Sequence, residues 1–243
     1  MDYSGKAVIV TGGTRGIGAG IAAGFLDAGA RVLVCGRNEP VTSDGRAEFF
    51  RADVRDPEQT RSLVRAAVDR FGRLDVVVNN AGGSPPAPAA TASPRFHAKI
   101  IELNLTAPLH VAQAANAVMQ EADGGSIIMI SSVSGTRPSP GTAAYGAAKA
   151  GLTHLGVSLA MEWAPKVRVN TVVVGLAGTE TSAGHYGGAD AMAAAAASVP
   201  LGRMVTPQDV ADACLFLASP MAAQVSGASL LVHGGGERPA FLA

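Results

Sequence analysis

The chain has 243 residues, enough for one α/β domain with a sizeable apolar core, and 48% of them are hydrophobic against 16% charged. The 19 Lys and Arg balance the 19 Asp and Glu, so no charge excess points to nucleic acid or a membrane surface; a neutral small molecule or a cofactor is the expected partner. Cys35 and Cys214 are too few and too far apart for a disulfide framework or a metal knuckle, and they read as inert core thiols. The apolar run Ala7–Val10 stops at a Thr-Gly-Gly turn instead of extending into a secretory segment, and no stretch approaches membrane-spanning length. The expectation is a soluble cytoplasmic protein without a metal.

In chain order, short apolar, β-branched runs predict strands at Ala7–Thr11, Arg31–Cys35, Glu48–Ala52, Asp75–Asn79, Ser126–Ser131, Val167–Val172 and Ser229–Val232. Between them, helical patterns fall on Gly16–Ala28, Pro57–Phe71, Pro94–Ala122, Thr142–Ala164 and Pro207–Ala218, with Pro57 and Pro207 suited to a first helical turn. Strands apolar throughout and alternating with helices predict a parallel sheet covered on both faces, since each parallel crossover needs a helix-length connection. The reading is one doubly wound α/β domain over residues 1–243, with a seven-stranded parallel sheet. Three segments break the rhythm and read as loops. Asn38–Arg46 shortens or removes the expected helix, Gly82–Ala92 carries Pro85, Pro86 and Pro88, and Gly175–Val199 reads as a mobile segment with a short Ala-rich helix inside.

After the first strand comes Thr11-Gly12-Gly13-Thr14-Arg15-Gly16-Ile17-Gly18, opening a helical pattern. Glycines there permit a tight turn and let backbone N–H groups approach a pyrophosphate, whose charge suits the positive end of the helix. The second strand ends Val34-Cys35-Gly36-Arg37, with no carboxylate to take the adenosine 2′-hydroxyl. Arg37 can meet a 2′-phosphate, with Arg15 as a second cation, so NADP(H) is favoured and NAD(H) stays possible.

Tyr145 and Lys149 sit one helical turn apart and share a face. A phenol of pKa about 10 is a poor base near neutrality, and an adjacent ammonium is expected to lower that value. Ser132 lies just beyond a strand's carboxyl end, where open α/β sheets place their ligands, and its hydroxyl can hold a substrate oxygen. Asn104 is polar on an apolar helix: either it satisfies a helix kink or it serves the chemistry.

With these residues in order, the chain resembles the short-chain dehydrogenase/reductase family, of Rossmann-like fold, over essentially its whole length. The resemblance rests on the Gly12–Gly18 turn, Asp53-Val54, Asn79-Asn80-Ala81-Gly82, Asn104, Ser132, Tyr145-Gly-Ala-Ala-Lys149 and Val167-Arg168-Val169-Asn170. It implies that Tyr145 is the general acid/base, that Lys149 lowers its pKa and binds the nicotinamide ribose, and that Ser132 orients the carbonyl. Asn104 would hold a water linking Lys149 to solvent, Asp53 would contact the adenine, Asn80 would lie along the cofactor, and Thr179 would touch the nicotinamide carboxamide. Gly12, Thr14, Arg15, Gly16, Ile17, Gly18, Arg37, Val54 and Gly82 complete the implied cofactor site. The resemblance also implies a homo-oligomer, tetramer or dimer, through the helices bearing Asn104 and Tyr145 and the last strand.

Two departures stand out: Val174-Gly175 where the family usually has Pro-Gly, and His233 where it often has Asp, read here as structural or at a subunit contact. Hydride transfer between NADP(H) and a ketone or secondary alcohol is the expected activity. The alternatives are reduction of a 3-oxoacyl thioester and a nucleotide-sensing protein without chemistry. The substrate pocket is expected from the loop after Gly82, from residues Ser134 to Thr142 and from the segment after Gly175, with apolar walls and no polar anchor; His185 and Tyr186 are further candidates for substrate contacts.

Overall fold

The computed structural model describes residues 1–39, 45–180, 182 and 187–238. Strands form where the apolar runs stand: β1 (Ala7–Thr11), β2 (Arg31–Gly36), β3 (Glu48–Arg51), β4 (Val76–Asn79), β5 (Gly125–Ser132), β6 (Val167–Val174) and β7 (Ser229–Val232). They make one sheet of seven strands in the order β3-β2-β1-β4-β5-β6-β7, every pair parallel. The helices are α1 (Gly16–Asp27), α2 (Pro57–Phe71), α3 (Pro94–Ile101), α4 (Ala107–Glu121), α5 (Ala143–Glu162), α6 (Ala189–Ser198) and α7 (Pro207–Ala218).

The two-residue period of a strand divides the core into two layers. Ile9, Leu33, Val77, Ile127, Met129 and Val169 face the side covered by α2, α4 and α5. Val8, Val10, Val32, Val34, Val76 and Ile128 face α1 and α7 on the other. Helix starts follow local chemistry. The Asp56 carboxylate accepts from the N–H groups of Glu58 and Gln59, Ser93 caps α3, and Thr206 with Asp209 forms a reciprocal capping box, each followed by proline at the first helical position. Cys35 and Cys214 are buried free thiols, as their apolar surroundings suggested.

One element differs from the sequence reading. The single helix expected over Pro94–Ala122 is interrupted by a π turn at Glu102–Thr106, where the Ala107 N–H donates to the Glu102 carbonyl five residues back. Pro108 explains the break: it has no N–H to offer the Asn104 carbonyl, so the α pattern cannot continue through it. Gly175–Val199 does hold a helix, α6. Much of the loop expected at Asn38–Arg46 lies outside the described residues, as do His185 and Tyr186.

Helices α1 and α7 approach through small residues. A Cβ on Gly20 would stand 2.3 Å from Pro207 Cβ and 3.0 Å from its carbonyl carbon, whereas one on Gly24 would stand 2.9 Å from the Ala211 methyl and 3.7 Å from Leu215 Cδ1, both side-chain atoms. Overpacking costs about 1–3 kcal/mol, against a helix-propensity gain from Gly to Ala of about 1 kcal/mol. Gly20→Ala is therefore expected to lower the Tm by about 2–4 °C, and Gly24→Ala to lower it less; thermal melts in which Gly20→Ala is the milder change would contradict this packing.

Candidate active site

Strands β1 and β4 are neighbours, and from them the chain winds outward in opposite directions, so the crevice beyond their carboxyl ends is where this topology receives ligands. Past the strand ends the ladder runs out and its polar groups need other partners. Asn80 supplies them: its side-chain amide donates to the carbonyls of Thr11 (2.9 Å) and Gly12 (3.2 Å). The Thr11 hydroxyl in turn accepts from the N–H groups of Asn80 and Ala81, both at 3.0 Å. Sequence reasoning set Asn80 along the cofactor; the structure also makes it the clasp between the two strand ends.

The glycine turn has the shape of an anion cradle. Gly12 and Gly16 hold left-handed φ angles of +64° and +55°, which side-chain-bearing residues rarely adopt, and a Cβ on Gly18 would lie 2.2 Å from the Gly12 carbonyl oxygen. The Gly16 N–H at the start of α1 already donates to an anion, the Glu180 carboxylate at 2.8 Å. Glu180's own backbone N–H and that of Gly16, with Arg15 nearby, hold this carboxyl below its ordinary range. Tight glycines, a helix N-terminus and an anion seated on the Gly16 N–H fit a dinucleotide pyrophosphate, which the Gly12–Gly18 backbone would hold.

The remaining cofactor candidates lie around this turn. Thr14 sits over Gly36, with its Oγ1 3.7 Å from where a Cβ would be, and the Thr179 Cγ2 lies 3.6 Å from the corresponding point on Gly16. Ile17 and Val54 pack into the core. Asp53 is gripped by Arg55, whose Nε donates to Oδ1 at 2.9 Å; this contact, with a smaller pull from Arg37, holds the Asp53 carboxyl below its usual range. Arg15, within the turn, pulls on Glu180, and Arg37, directly after β2, pulls on Asp53.

The second cluster stands at the end of β5. Ser132 ends the strand, and Tyr145 and Lys149 follow on α5. Lys149 is buried; its ammonium donates to the Ile130 carbonyl at 2.8 Å and lies 5.5 Å from the Tyr145 ring centre. Burial pushes the Lys149 pKa down to about 8. The phenol departs from the expectation: burial raises the Tyr145 pKa, and the Ser132 hydroxyl opposes it only in part. The Lys149 ammonium, bonded to the Ile130 carbonyl, stands behind the phenol ring, and burial outweighs the lowering expected of it.

Two residues that sequence reasoning passed over fix this geometry. The Ser131 hydroxyl donates to the Lys149 carbonyl at 2.9 Å and meets the Thr153 hydroxyl at 3.0 Å, pinning α5 to β5. Thr153 four residues beyond Lys149 was the available signal. Asn104 is fully buried in the π turn. Its side-chain oxygen accepts from the Gly83 N–H (2.8 Å), and its amide donates to the carbonyls of Gly83 and Ile100, both at 2.9 Å. The kink-satisfying role is therefore filled. Gly82 brings this residue to the cluster, since a Cβ there would meet Asn104 Oδ1 at 2.7 Å and Lys149 Nζ at 3.2 Å.

Tyr145 and Ser132 line a cavity of about 450 Å³ walled by Gly83 and Ser84, by residues of the 134–142 segment, and by Gly175 and Leu176. These are the three segments expected from the sequence. The wall itself differs from the apolar one anticipated: Ser84, Ser134, Ser139 and Thr142 bring hydroxyls, and Arg137 brings a guanidinium. At Gly175 a Cβ would strike His233 Cβ at 2.6 Å, and the His233 ring accepts from the Gly235 N–H, so His233 packs on the glycine that follows Val174.

Comparison with known proteins agrees with this architecture. A family model described as enoyl-(acyl carrier protein) reductase matches residues 12–237. The chain is 36% identical over 241 residues to a 3-oxoacyl-acyl-carrier-protein reductase of Chlamydia muridarum, covering 95% of this chain and 96% of the relative. It is 36% identical over 243 residues to a cis-4-hydroxycyclohexanecarboxylate dehydrogenase of Sinomonas cyclohexanicum, covering 96% and 97%. The ligand-free aldohexose dehydrogenase of Thermoplasma acidophilum superposes with a TM-score of 0.91 at 29% identity, over 96% of this chain and 94% of that one. With the parallel sheet, the glycine turn and the Ser132, Tyr145 and Lys149 cluster in place, the chain belongs to the short-chain dehydrogenase/reductase family of NAD(P)-dependent oxidoreductases that act on alcohol and carbonyl groups.

Proposed function

We propose that this protein is an NADP(H)-preferring oxidoreductase that interconverts a ketone and a secondary alcohol, with Tyr145 as general acid/base. The observation that carries this reading is the placement of Tyr145 and Ser132 on one cavity wall with the buried Lys149 ammonium behind the phenol ring. The bound nicotinamide cofactor supplies or accepts the hydride. The chain's own part is orientation and proton transfer. The Ser132 hydroxyl holds the substrate oxygen, and the Tyr145 hydroxyl, kept protonated at neutral pH by burial, donates its proton to that oxygen as reduction proceeds. Lys149, largely charged below pH 8, stabilises the phenolate that this leaves. Asn104 holds the 82–83 backbone against the cluster through Gly83.

The Gly12–Gly18 turn, with Thr14 and Thr179 beside it, Asn80 and Gly82 would hold the cofactor, Asp53 its adenine, and Arg37 with Arg15 a 2′-phosphate. Residues 175–199 serve as the substrate loop. Exposed Val157 and Met161 on α5 and Leu231 on β7 support a homo-oligomer, tetramer or dimer, through those faces, and the two free buried thiols suit the cytoplasm. A second reading, reduction of a 3-oxoacyl thioester, draws on the likeness to the Chlamydia reductase.

Tyr145→Phe is expected to lower turnover by at least about a hundredfold while the Kd for NADPH, read by fluorescence titration, moves little; near-normal turnover would end the acid/base assignment. Because burial raises the phenol's pKa, the proton donor persists through neutrality and the base form is scarce there. Carbonyl reduction should therefore hold steady across neutral pH, and alcohol oxidation should rise as pH increases into the alkaline range. Initial rates in both directions decide it, a flat oxidation profile being the contrary result. Replacing Arg37 by Ala removes a charge-assisted contact and is expected to raise the Kd for NADPH by about tenfold or more, narrowing the gap to NADH; an unchanged NADPH-to-NADH ratio would refute the arginine's role.

A further inference from the structure

The cavity that holds Ser132 and Tyr145 has a second recognition point at its other side. Among the described residues that line it, Arg137 carries the only charge, set beside the hydroxyls of Ser139 and Thr142. Arg137 is kept in place from two sides. One guanidinium nitrogen donates to the Pro138 carbonyl at 3.0 Å, and the other pairs with the Glu237 carboxylate, brought in from a segment 100 residues away.

This pairing is of a kind that exchanges readily. Arg137 and Glu237 are 39% and 37% exposed, and an ion pair so open to water is screened and contributes little to folding. A guanidinium that opens on a substrate cavity with one nitrogen on a carboxylate already faces such a group, and its planar fork can match a carboxylate's two oxygens. We propose that Arg137 is a specificity-determining residue that binds an anionic group, a carboxylate, at the end of the substrate away from the reacting carbon, and that Glu237 occupies this position until the substrate displaces it. The substrate class is thus an oxo acid or hydroxy acid rather than a neutral ketone or alcohol. This rests on the oxidoreductase reading for what happens at Ser132 and Tyr145, but not for the anion site itself.

Binding and turnover separate the two. Short straight-chain oxo acids and their primary amides, which match in shape and differ in charge, are titrated into the protein loaded with NADP by calorimetry. In the wild-type protein the best acid should bind at least about tenfold more tightly than its amide, the value expected of one charge-assisted contact. Arg137→Met should bring the acid-to-amide ratio to about one, and Arg137→Lys should restore part of it. Glu237→Gln should raise the ratio by removing the competitor, and because this exposed change leaves Arg137 intact it decides the matter even if Arg137→Met folds poorly. Equal affinity for acid and amide, no binding of either, or a ratio indifferent to both positions would overturn the proposal. Oxidation of NADPH with the same compounds reports on the oxidoreductase reading alone: turnover without an acid preference refutes the anion site and leaves that reading standing.

Discussion

The site depends on the clasp at the carboxyl ends of β1 and β4. Where two neighbouring parallel strands send their chains to opposite sides, their last carbonyls and amides lose ladder partners at the point where a ligand must enter. A water-filled gap there would leave the glycine turn free to move. Asn80 and Thr11 close it with hydrogen bonds between 2.9 and 3.2 Å that join the two strand ends. The glycines then have a fixed frame: the Cβ missing from Gly18 leaves room for both the Gly12 carbonyl and the Asn80 amide, at 2.2 and 2.5 Å from its ideal position. One asparagine side chain thereby sets the path of the turn on one strand from the end of another.

A similar economy governs the catalytic cluster. Burying an ammonium is unfavourable, and burial accordingly pushes the Lys149 pKa down to about 8. The compensation is local, a single hydrogen bond to the Ile130 carbonyl on the strand that leads to Ser132. That bond fixes Lys149 to β5, Ser131 fixes the Lys149 backbone to the same strand, and Tyr145 one turn earlier is carried along. Phenol, ammonium and serine hydroxyl are thus all carried on β5 or pinned to it, and the Ser132 hydroxyl also bonds the phenol.

The central strands were legible because a parallel sheet buried on both faces leaves continuous apolar runs; β1 and the partly exposed edge strand β7 have the predicted limits, and the others differ by one or two residues at one end or by one at both. The helix starts at Pro57, Pro94 and Pro207 were legible for a similar reason, since proline after a capping side chain is a local signal. The π turn was missed because the apolar period runs on across it. Pro108 announced the interruption, yet only the fold shows that Asn104 uses it to reach Gly83. The positions of Tyr145, Lys149 and Ser132 could be read from order and spacing, but the direction of the phenol's pKa could not. It depends on burial and on where the ammonium points, neither of which has a period in sequence.

Charge shows the same division. Equal numbers of acidic and basic residues suggested a neutral partner, but a sum carries no information about distribution. Along this site four arginines each have a carboxylate of the chain near them, Arg15 by Glu180, Arg55 and Arg37 by Asp53, Arg137 by Glu237, whereas the buried Lys149 ammonium meets a carbonyl. A site built this way offers arginine charge that is already locally matched. Binding an anionic group there trades one charge-assisted contact for another, so the net gain is the difference between two similar terms and not the full strength of either. What then discriminates among ligands is geometry: whether an anion can meet the Gly16 N–H, or the fork of a guanidinium, better than the internal carboxylate does.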